Sequence, residues 1–327
     1  MDGLGHTEAV TTVIVGATAV GKSSLAMALA RRLVATGRPA EIVNADSMLV
    51  YRGMDVGTAK PSPADREEIR HHLVDILDIT ETATVAEFQR LARQAIEDCR
   101  QREVVPLVVG GSALYVRAIL DDFEFPGTDP EIRAELEAEL LRVGPDVLHQ
   151  RLREQDPAAA ATILPANGRR IVRALEVITL TGRPFSATLP PYRYRLPDVV
   201  QIGVRTDRAT LDARIGDRVD AMWAAGLVDE VRGLAQRGLR DGLTASRALG
   251  YRQVLQHLDG RLDEDGARAA TIAGTRKFAR RQDSWFGRDP RVHWLGAADP
   301  SALELAHTLA TAAPAAAAPF RAPTVRD

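Results

Sequence analysis

The 327-residue chain has one cysteine, Cys99. That excludes internal disulfides and cysteine-built zinc sites, and it fits a reducing compartment, so a cytoplasmic protein is expected. Neither sign of charge dominates. With 42 Lys and Arg against 44 Asp and Glu, the formal net charge is −2, so any nucleic-acid surface must be local. No apolar run is long enough to span a bilayer, which predicts no membrane partner. The first residues, MDGLGHTEAV, lack a basic segment followed by an apolar one, so no secretory signal is expected. No internal repeat is found. The closing stretch TAAPAAAAPFRAPTVRD is Ala- and Pro-rich, and residues 311–327 are expected to form a disordered tail. What is present is ordinary: 45% hydrophobic and 26% charged residues, enough for a core in one large domain or two moderate ones.

The strongest local signal is GATAVGKS. Gly16, Gly21, Lys22 and Ser23 fill a phosphate-loop pattern, and most such loops bind ATP or another nucleotide. TTVIVGA (11–17) before it reads as a buried strand, and KSSLAMALARRLVATG after it as a helix with Leu25, Leu29 and Leu33 on one face. Further strands are read at EIVNADS (41–47), VVPLVVGGS (104–112) and DVVQIGVRT (198–206), and a helix over about 84–101. Residues 48–80 read as loop. Alternating strands and helices predict an α/β fold with a parallel sheet. From 126 to 189 the strands stop and three helical stretches follow, DPEIRAELEAELLRV, PDVLHQRLREQ and NGRRIVRALEVITLTG. The reading is a P-loop NTPase-like parallel sheet core, residues 8–125 and 190–310, carrying a helical insertion domain at 126–189. Later helices are expected near 208–225, 227–237, 250–258, 263–287 and 301–312.

The backbone N–H groups of such a loop face an anion, Lys22 adds a full charge, and the Ser23 hydroxyl can ligate magnesium. An ATPase also needs an acidic residue at a neighbouring strand end. The third strand ends in glycines and the fourth in Arg205 and Thr206; only EIVNAD ends in a carboxylate, Asp46. Asp46 can serve a metal, act as a general base, or merely cap a turn. Arg214 and Arg218 lie four apart beside the stripe Leu211, Ile215, Val219, Met222, where they can bind an anion or pair with Asp217 and Asp220.

Several linked blocks carry a family resemblance over about residues 11–296: GATAVGKS, NADSMLVYRGMDVGTAKPS, VVGGSALYVRAIL, RRIVRALEV, SRALGYRQ and TRKFARRQDSWF. The chain resembles the tRNA dimethylallyltransferases, or tRNA isopentenyltransferases, of the bacterial type without a zinc finger. The resemblance implies that the loop, Gly16, Ala17, Thr18, Ala19, Val20, Gly21, Lys22 and Ser23, grips the diphosphate of dimethylallyl diphosphate rather than ATP. It implies Mg2+ as cofactor at Ser23, Asp46 as general base, and Arg218 on the diphosphate with Arg214 assisting. The dimethylallyl group then moves to N6 of an adenosine beside the anticodon, and the base must leave its stack to reach the pocket.

Contacts to the anticodon stem-loop of tRNA, the implied partner, map to Asp46, Ser47, Met48 and Leu49, to Ser112 where the family usually has threonine, to Arg169, Arg170, Ile171, Val172 and Arg173, with Arg133 contributing, and to Arg247, Ala248, Leu249, Gly250, Tyr251 and Arg252. Tyr251 and Arg252 could stack on or clamp flanking bases. The arginine cluster reads equally well as the solvated face of an amphipathic helix. For Arg276, Lys277, Arg280 and Arg281, phosphate contact and helix-surface charge pairing stay open, while Trp285 and Phe286 read as core anchors. Arg280 and Ser284 depart mildly from the family's lysine and threonine. A monomer is expected. Rival readings are an enzyme that prenylates free AMP, against which the insertion argues; a small-molecule kinase, against which the third strand argues; and a non-catalytic tRNA binder, against which Lys22, Ser23, Asp46 and Arg218 argue.

Overall fold

A computed structural model describes residues 10–123, 125–185 and 192–312. It divides into two compact units, Met1–Leu120 with Leu196–Asp327, and Asp121–Arg195. The first is built on a parallel sheet of β1 (Thr11–Gly16), β2 (Ala40–Asn44), β3 (His71–His72), β4 (Val105–Val109), β5 (Val199–Arg205) and β6 (Val292–Gly296), in the order β3-β2-β4-β1-β5-β6. β1 and β4 are buried at every residue, as expected of central strands covered on both faces. Val13 sits between Val108 and Gln201 in the register. Because all strands run one way, the turns after β1, β2 and β4 meet at one edge, which is where ligands of open parallel sheets bind.

Helices α1 (Lys22–Ala35), α2 (Pro63–Glu68), α3 (Val85–Gln101) and α4 (Ala113–Leu120) precede the helical unit; α9 (Arg208–Ala224), α10 (Leu227–Gln236), α11 (Tyr251–Leu258), α12 (Glu264–Phe286) and α13 (Ala302–Thr311) follow it. α1 lays Ala26, Leu29, Ala30 and Leu33 into a core shared with Ile14, Ile42, Leu107 and Ile202. Five strands and helices went unread in the sequence, the four described next and the short helix Pro157–Thr162 of the helical unit. β3 is two residues long and exists through pairing with Ile42 and Val43. β6 carries a histidine and a tryptophan and is recruited by β5. α2 stands on a capping box, Ser62 with Asp65, and a proline in its first turn, inside a stretch read as loop. α4 is a single apolar run, ALYVRAIL, with no periodicity to reveal it. The Ala/Pro tail lies outside the described residues except Thr311 and Ala312, which close α13. The segment read for a secretory signal also lies outside them but for Val10. Among the described residues no helix is long and apolar enough to cross a membrane.

At the opposite end of the sheet, β2 is tied to α3 by charge. Both oxygens of Glu41 accept hydrogen bonds from Arg102 at 2.8 Å, and one lies 2.7 Å from His72 Nε2 and 3.4 Å from the Cys99 sulfur. Arg102 first, then His72 and Cys99, hold the Glu41 carboxyl down at about 2. Burial pushes the Cys99 thiol up to about 12, so it is an inert packing residue. Since the Glu41 pKa is depressed on folding, its contribution is complete above the unfolded value of 4.5 and is lost as pH falls towards about 2. Glu41→Gln is expected to cost roughly 2–3 kcal/mol at pH 7, with the deficit disappearing by about pH 2. Urea unfolding of both proteins across that range checks it, and a pH-independent deficit would contradict it.

The helical unit comprises α5 (Pro130–Val143), α6 (Pro145–Gln155), α7 (Pro157–Thr162) and α8 (Gly168–Thr181). Asp129, Asp156 and Asn167 cap α5, α7 and α8 through their side chains. Its own core joins Leu136, Leu148, Leu152, Ile163, Ile171 and Leu175. His149 Nε2 sits 3.1 Å from the Ala160 carbonyl and 2.8 Å from that of Ile163, tying α6 to the end of α7. Glu176 is fully buried and is bracketed by Arg133 and Arg173.

Candidate active site

The phosphate loop follows β1. Gly16 has φ 144°, and a Cβ there would stand 2.4 Å from the Val204 carbonyl oxygen, so only glycine allows β1 to leave the sheet beside β5. α1 begins at Lys22 with no side-chain cap at Gly21, so its first N–H groups are open to an anion. Lys22 Nζ folds back to donate to the Ala17 carbonyl at 2.7 Å. Burial lowers the Lys22 ammonium to about 8; Asp46 and Asp283 pull it up and Arg218 pushes it down.

Two cavities open at this edge of the sheet. The first, about 530 Å³, is lined by Thr18, Lys22, Ser23, Asp46, Thr58 and Arg218, among others. The second, about 580 Å³, shares Thr18, Asp46, Thr58, Arg218 and Phe278 with it. The rest of its wall includes Ser47, Met48, Ser112, Arg247, Ala248, Leu249 and Arg252. Leu49 faces the first cavity. Arg214 lines neither: it flanks the loop from outside, with Ala19, Gly21, Lys22 and Ser23, and donates to the Val20 carbonyl at 3.4 Å.

Asp46 does cap a turn, since its Oδ1 accepts from Met48 N at 2.9 Å. Its other oxygen has no hydrogen-bond partner among the described residues, and the side chain borders both cavities. Asn44 fixes it by accepting from Asp46 N at 2.7 Å and donating to the Asp46 carbonyl at 2.9 Å. Arg218 donates to the Thr58 carbonyl at 3.4 Å, and burial lowers its pKa against the pull of Asp46. On neighbouring α4, burial raises the Tyr115 phenol to about 12.

The segment GMDVGTAK is held from two directions. Lys60, with a side chain 2% exposed, pairs with Asp55 at 2.6 Å and Asp75 at 2.5 Å and donates to the Tyr51 carbonyl. From α10, Glu230 accepts the N–H groups of Asp55, Val56 and Gly57 at 3.1, 2.7 and 3.3 Å. Tyr251 completes that carboxylate with a 2.6 Å hydrogen bond, and a Cβ on Gly57 would stand 2.5 Å from its ring. This corrects the expectation for Tyr251. It is fully buried and braces the loop rather than stacking on bases.

Gln282 was not recognised from the sequence. It accepts from Thr18 N at 2.9 Å and donates to the Gly111 carbonyl at 2.7 Å, so it pins the phosphate loop to the turn after β4. That turn therefore ends in glycine rather than in an acid. The signal was available: Gln282 interrupts the buried stripe Thr271, Ala279, Phe286 of α12, and a polar residue there must find partners. Gln282→Met keeps the length and loses both bonds. It is expected to cost about 1–3 kcal/mol in denaturant unfolding and to weaken ligand binding at the loop. Unchanged stability would contradict the clamp.

In the helical unit Arg169 and Arg170 are exposed on α8, while Ile171 and Val172 are buried in its core. Arg173 is engaged with Glu176 and with the carbonyls of Pro126 and Gly127, and Arg133 with Glu176. The cluster expected as one basic face is thus two exposed arginines and two that hold the unit together. On α12, Phe286 is buried, but Trp285 is 42% exposed, which corrects its reading as a core anchor.

A parallel sheet whose first strand feeds a glycine loop and an uncapped helix N-terminus, with a lysine and an arginine over one cavity, defines a phosphate-loop α/β protein of the P-loop NTPase-like class. Comparison with known proteins narrows this. The chain belongs to the IPP transferase family, which matches residues 49–289. It is 60% identical to a tRNA dimethylallyltransferase of Kineococcus radiotolerans over 317 residues, 96% of this chain and 100% of that one. It is 59% identical to that of Thermobifida fusca, over 90% of this chain and 92% of that one. A solved tRNA isopentenylpyrophosphate transferase from Bacillus halodurans matches with TM-score 0.66 at 38% identity, covering 92% of this chain and 95% of that one. A eukaryotic dimethylallyltransferase solved while acting on tRNA matches with TM-score 0.73 at 27% identity, covering 89% and 74%.

Proposed function

We propose that the protein is a prenyltransferase that moves the dimethylallyl group of dimethylallyl diphosphate to N6 of an adenosine adjacent to the anticodon of tRNA, giving N6-isopentenyladenosine and diphosphate. The observation that carries this reading is the wall shared by the two cavities, where Asp46 and Arg218 stand, with Lys22 on the loop side.

The loop N–H groups, Lys22 and Arg218 take the diphosphate, and their charge is worth most as the allylic C–O bond breaks and negative charge gathers on the leaving group. The adenosine occupies the second cavity, bordered by Ser47, Met48, Ser112 and the segment Arg247–Leu249, with Arg252 beside it. Its N6 forms the new bond to the allylic carbon as the old one breaks. The free oxygen of Asp46 accepts the N6 proton and aims the amine. Arg214 supports the loop from outside. Arg169 and Arg170 are the proposed tRNA contacts of the helical unit, with Ile171 and Val172 setting their helix and Arg133 and Arg173 its base. Gly250 and Tyr251 hold the segment that presents Arg252.

Mg2+ fits the residues present: the Ser23 hydroxyl, a hard donor without a hydrogen-bond partner among the described residues, faces the first cavity. Bound there it would neutralise the leaving diphosphate. The proposed setting is the cytoplasm and the proposed working unit a monomer, which sedimentation would check.

Calorimetry tests which phosphate the loop holds. A non-reactive dimethylallyl thio-diphosphate is expected to bind and to be displaced by inorganic diphosphate. ATP hydrolysis without binding of the prenyl analogue would overturn the reading.

A further inference from the structure

Arg218 makes one hydrogen bond among the described residues, to the Thr58 carbonyl at 3.4 Å. A guanidinium carries five N–H donors. The others are left for whatever fills the cavities that Arg218 lines, and the Thr58 carbonyl fixes where the group points.

That carbonyl belongs to a closed turn. Lys60 N donates to the Asp55 carbonyl at 3.0 Å and Ala59 N to that of Val56 at 3.1 Å. Ala59 has φ 49°, in the left-handed region, and Pro61 follows Lys60. Paired bonds of this kind, a left-handed residue and a trailing proline ordinarily close the end of a helix, with glycine at the left-handed position. Here they close a single turn, and alanine stands in that position. The N–H groups of Asp55, Val56 and Gly57 leave the turn at one end and converge on Glu230; the Thr58 carbonyl leaves it at the other and meets Arg218. An anion therefore stands at the positive end of the turn's dipole and a cation at the negative end.

A strained backbone persists only where its surroundings over-determine it. Glu230 supplies three of the holding bonds and is itself held by Tyr251. Packing supplies more, since a Cβ on Gly57 would stand 2.5 Å from the Tyr251 ring and 2.8 Å from the Leu227 side chain. Yet Glu230 lines neither cavity.

We infer that Glu230 is a positioning residue for the transfer: through the Asp55–Lys60 turn it sets the Thr58 carbonyl, and with it the Arg218 guanidinium, where the leaving diphosphate is held. The inference rests on the proposed prenyl transfer with Arg218 on the diphosphate.

The test is a double-mutant cycle in steady-state prenyl transfer at saturating RNA, with Glu230→Leu, Arg218→Gln and the two combined. Glu230→Leu should lower kcat/KM for dimethylallyl diphosphate by up to about 100-fold, the cost of moving a catalytic group by about 1 Å. In the Arg218→Gln background the same change should cost no more than about threefold, because the group it positions is gone. The cycle is repeated with Glu230→Gln. Its amide oxygen keeps an acceptor for the Asp55 and Val56 N–H groups and its amide N–H can donate to the Tyr251 oxygen, so it should recover part of the loss and stay coupled to Arg218. It also carries the test alone should the leucine variant not fold. An equal loss in both backgrounds is what a general loss of folded protein gives; it overturns the positioning role and leaves the transfer reading standing, as does wild-type kcat/KM in both Glu230 variants. Absence of transfer by the wild type overturns both.

Discussion

Lys22→Ala is expected to weaken binding of the prenyl diphosphate by roughly 100-fold, on the order of 3 kcal/mol, the range for removing one member of a buried charged contact. The ammonium is crowded by protein, which lowers it to about 8, and Arg218 adds to the repulsion. A site that holds an unneutralised cation at such a disadvantage gains most when an anion arrives. Relief of that crowding offsets the lost 2.7 Å hydrogen bond to the Ala17 carbonyl, so the variant's melting temperature should stay near that of the wild type and RNA affinity within a few-fold. Catalysis should fall as well, because the leaving diphosphate carries more charge in the transition state than in the ground state. Unchanged binding of the diphosphate would remove the loop from the donor site.

Asp46→Asn should act in the opposite sense on binding and more strongly on turnover. Asparagine keeps an oxygen for the Met48 N–H, so the turn is preserved. It removes a negative charge beside the incoming diphosphate, so donor affinity should hold or improve. It also removes the proton acceptor, and kcat should fall by about 10²- to 10⁴-fold, with RNA affinity changed by no more than a few-fold. A kcat within threefold of wild type would rule out the general-base role and leave Asp46 as a turn residue. Measuring both constants for both variants separates anion binding from proton transfer.

The parallel sheet and the loop were legible because buried strands such as TTVIVG and VPLVV are short apolar runs rich in β-branched residues that lead into glycine. Three helices of the helical unit were legible, α5 with a proline in its first turn and an aspartate cap, while the six-residue α7, PAAAAT, was too short to show a period and went unread. The unread parts depend on partners distant in the chain. β3 has two residues and no pattern of its own. Glu230 and Tyr251 hold the Asp55–Gly57 backbone across more than 170 residues, and Gln282 reaches Thr18 across 264. A sequence pattern reports local periodicity, and a single long-range polar contact leaves only an anomaly, a glutamine on a buried stripe or a tyrosine after a glycine. Trp285 was misread for the same reason. Its neighbour Phe286 is buried, and adjacent positions on a helix point about 100° apart.

The most direct measurement is a transfer assay with radiolabelled dimethylallyl diphosphate, magnesium, and either unmodified tRNA or AMP. The account predicts label in tRNA, recovered as N6-isopentenyladenosine after digestion, and none in AMP. Label in AMP alone, or ATP consumption with no label in either acceptor, would contradict it.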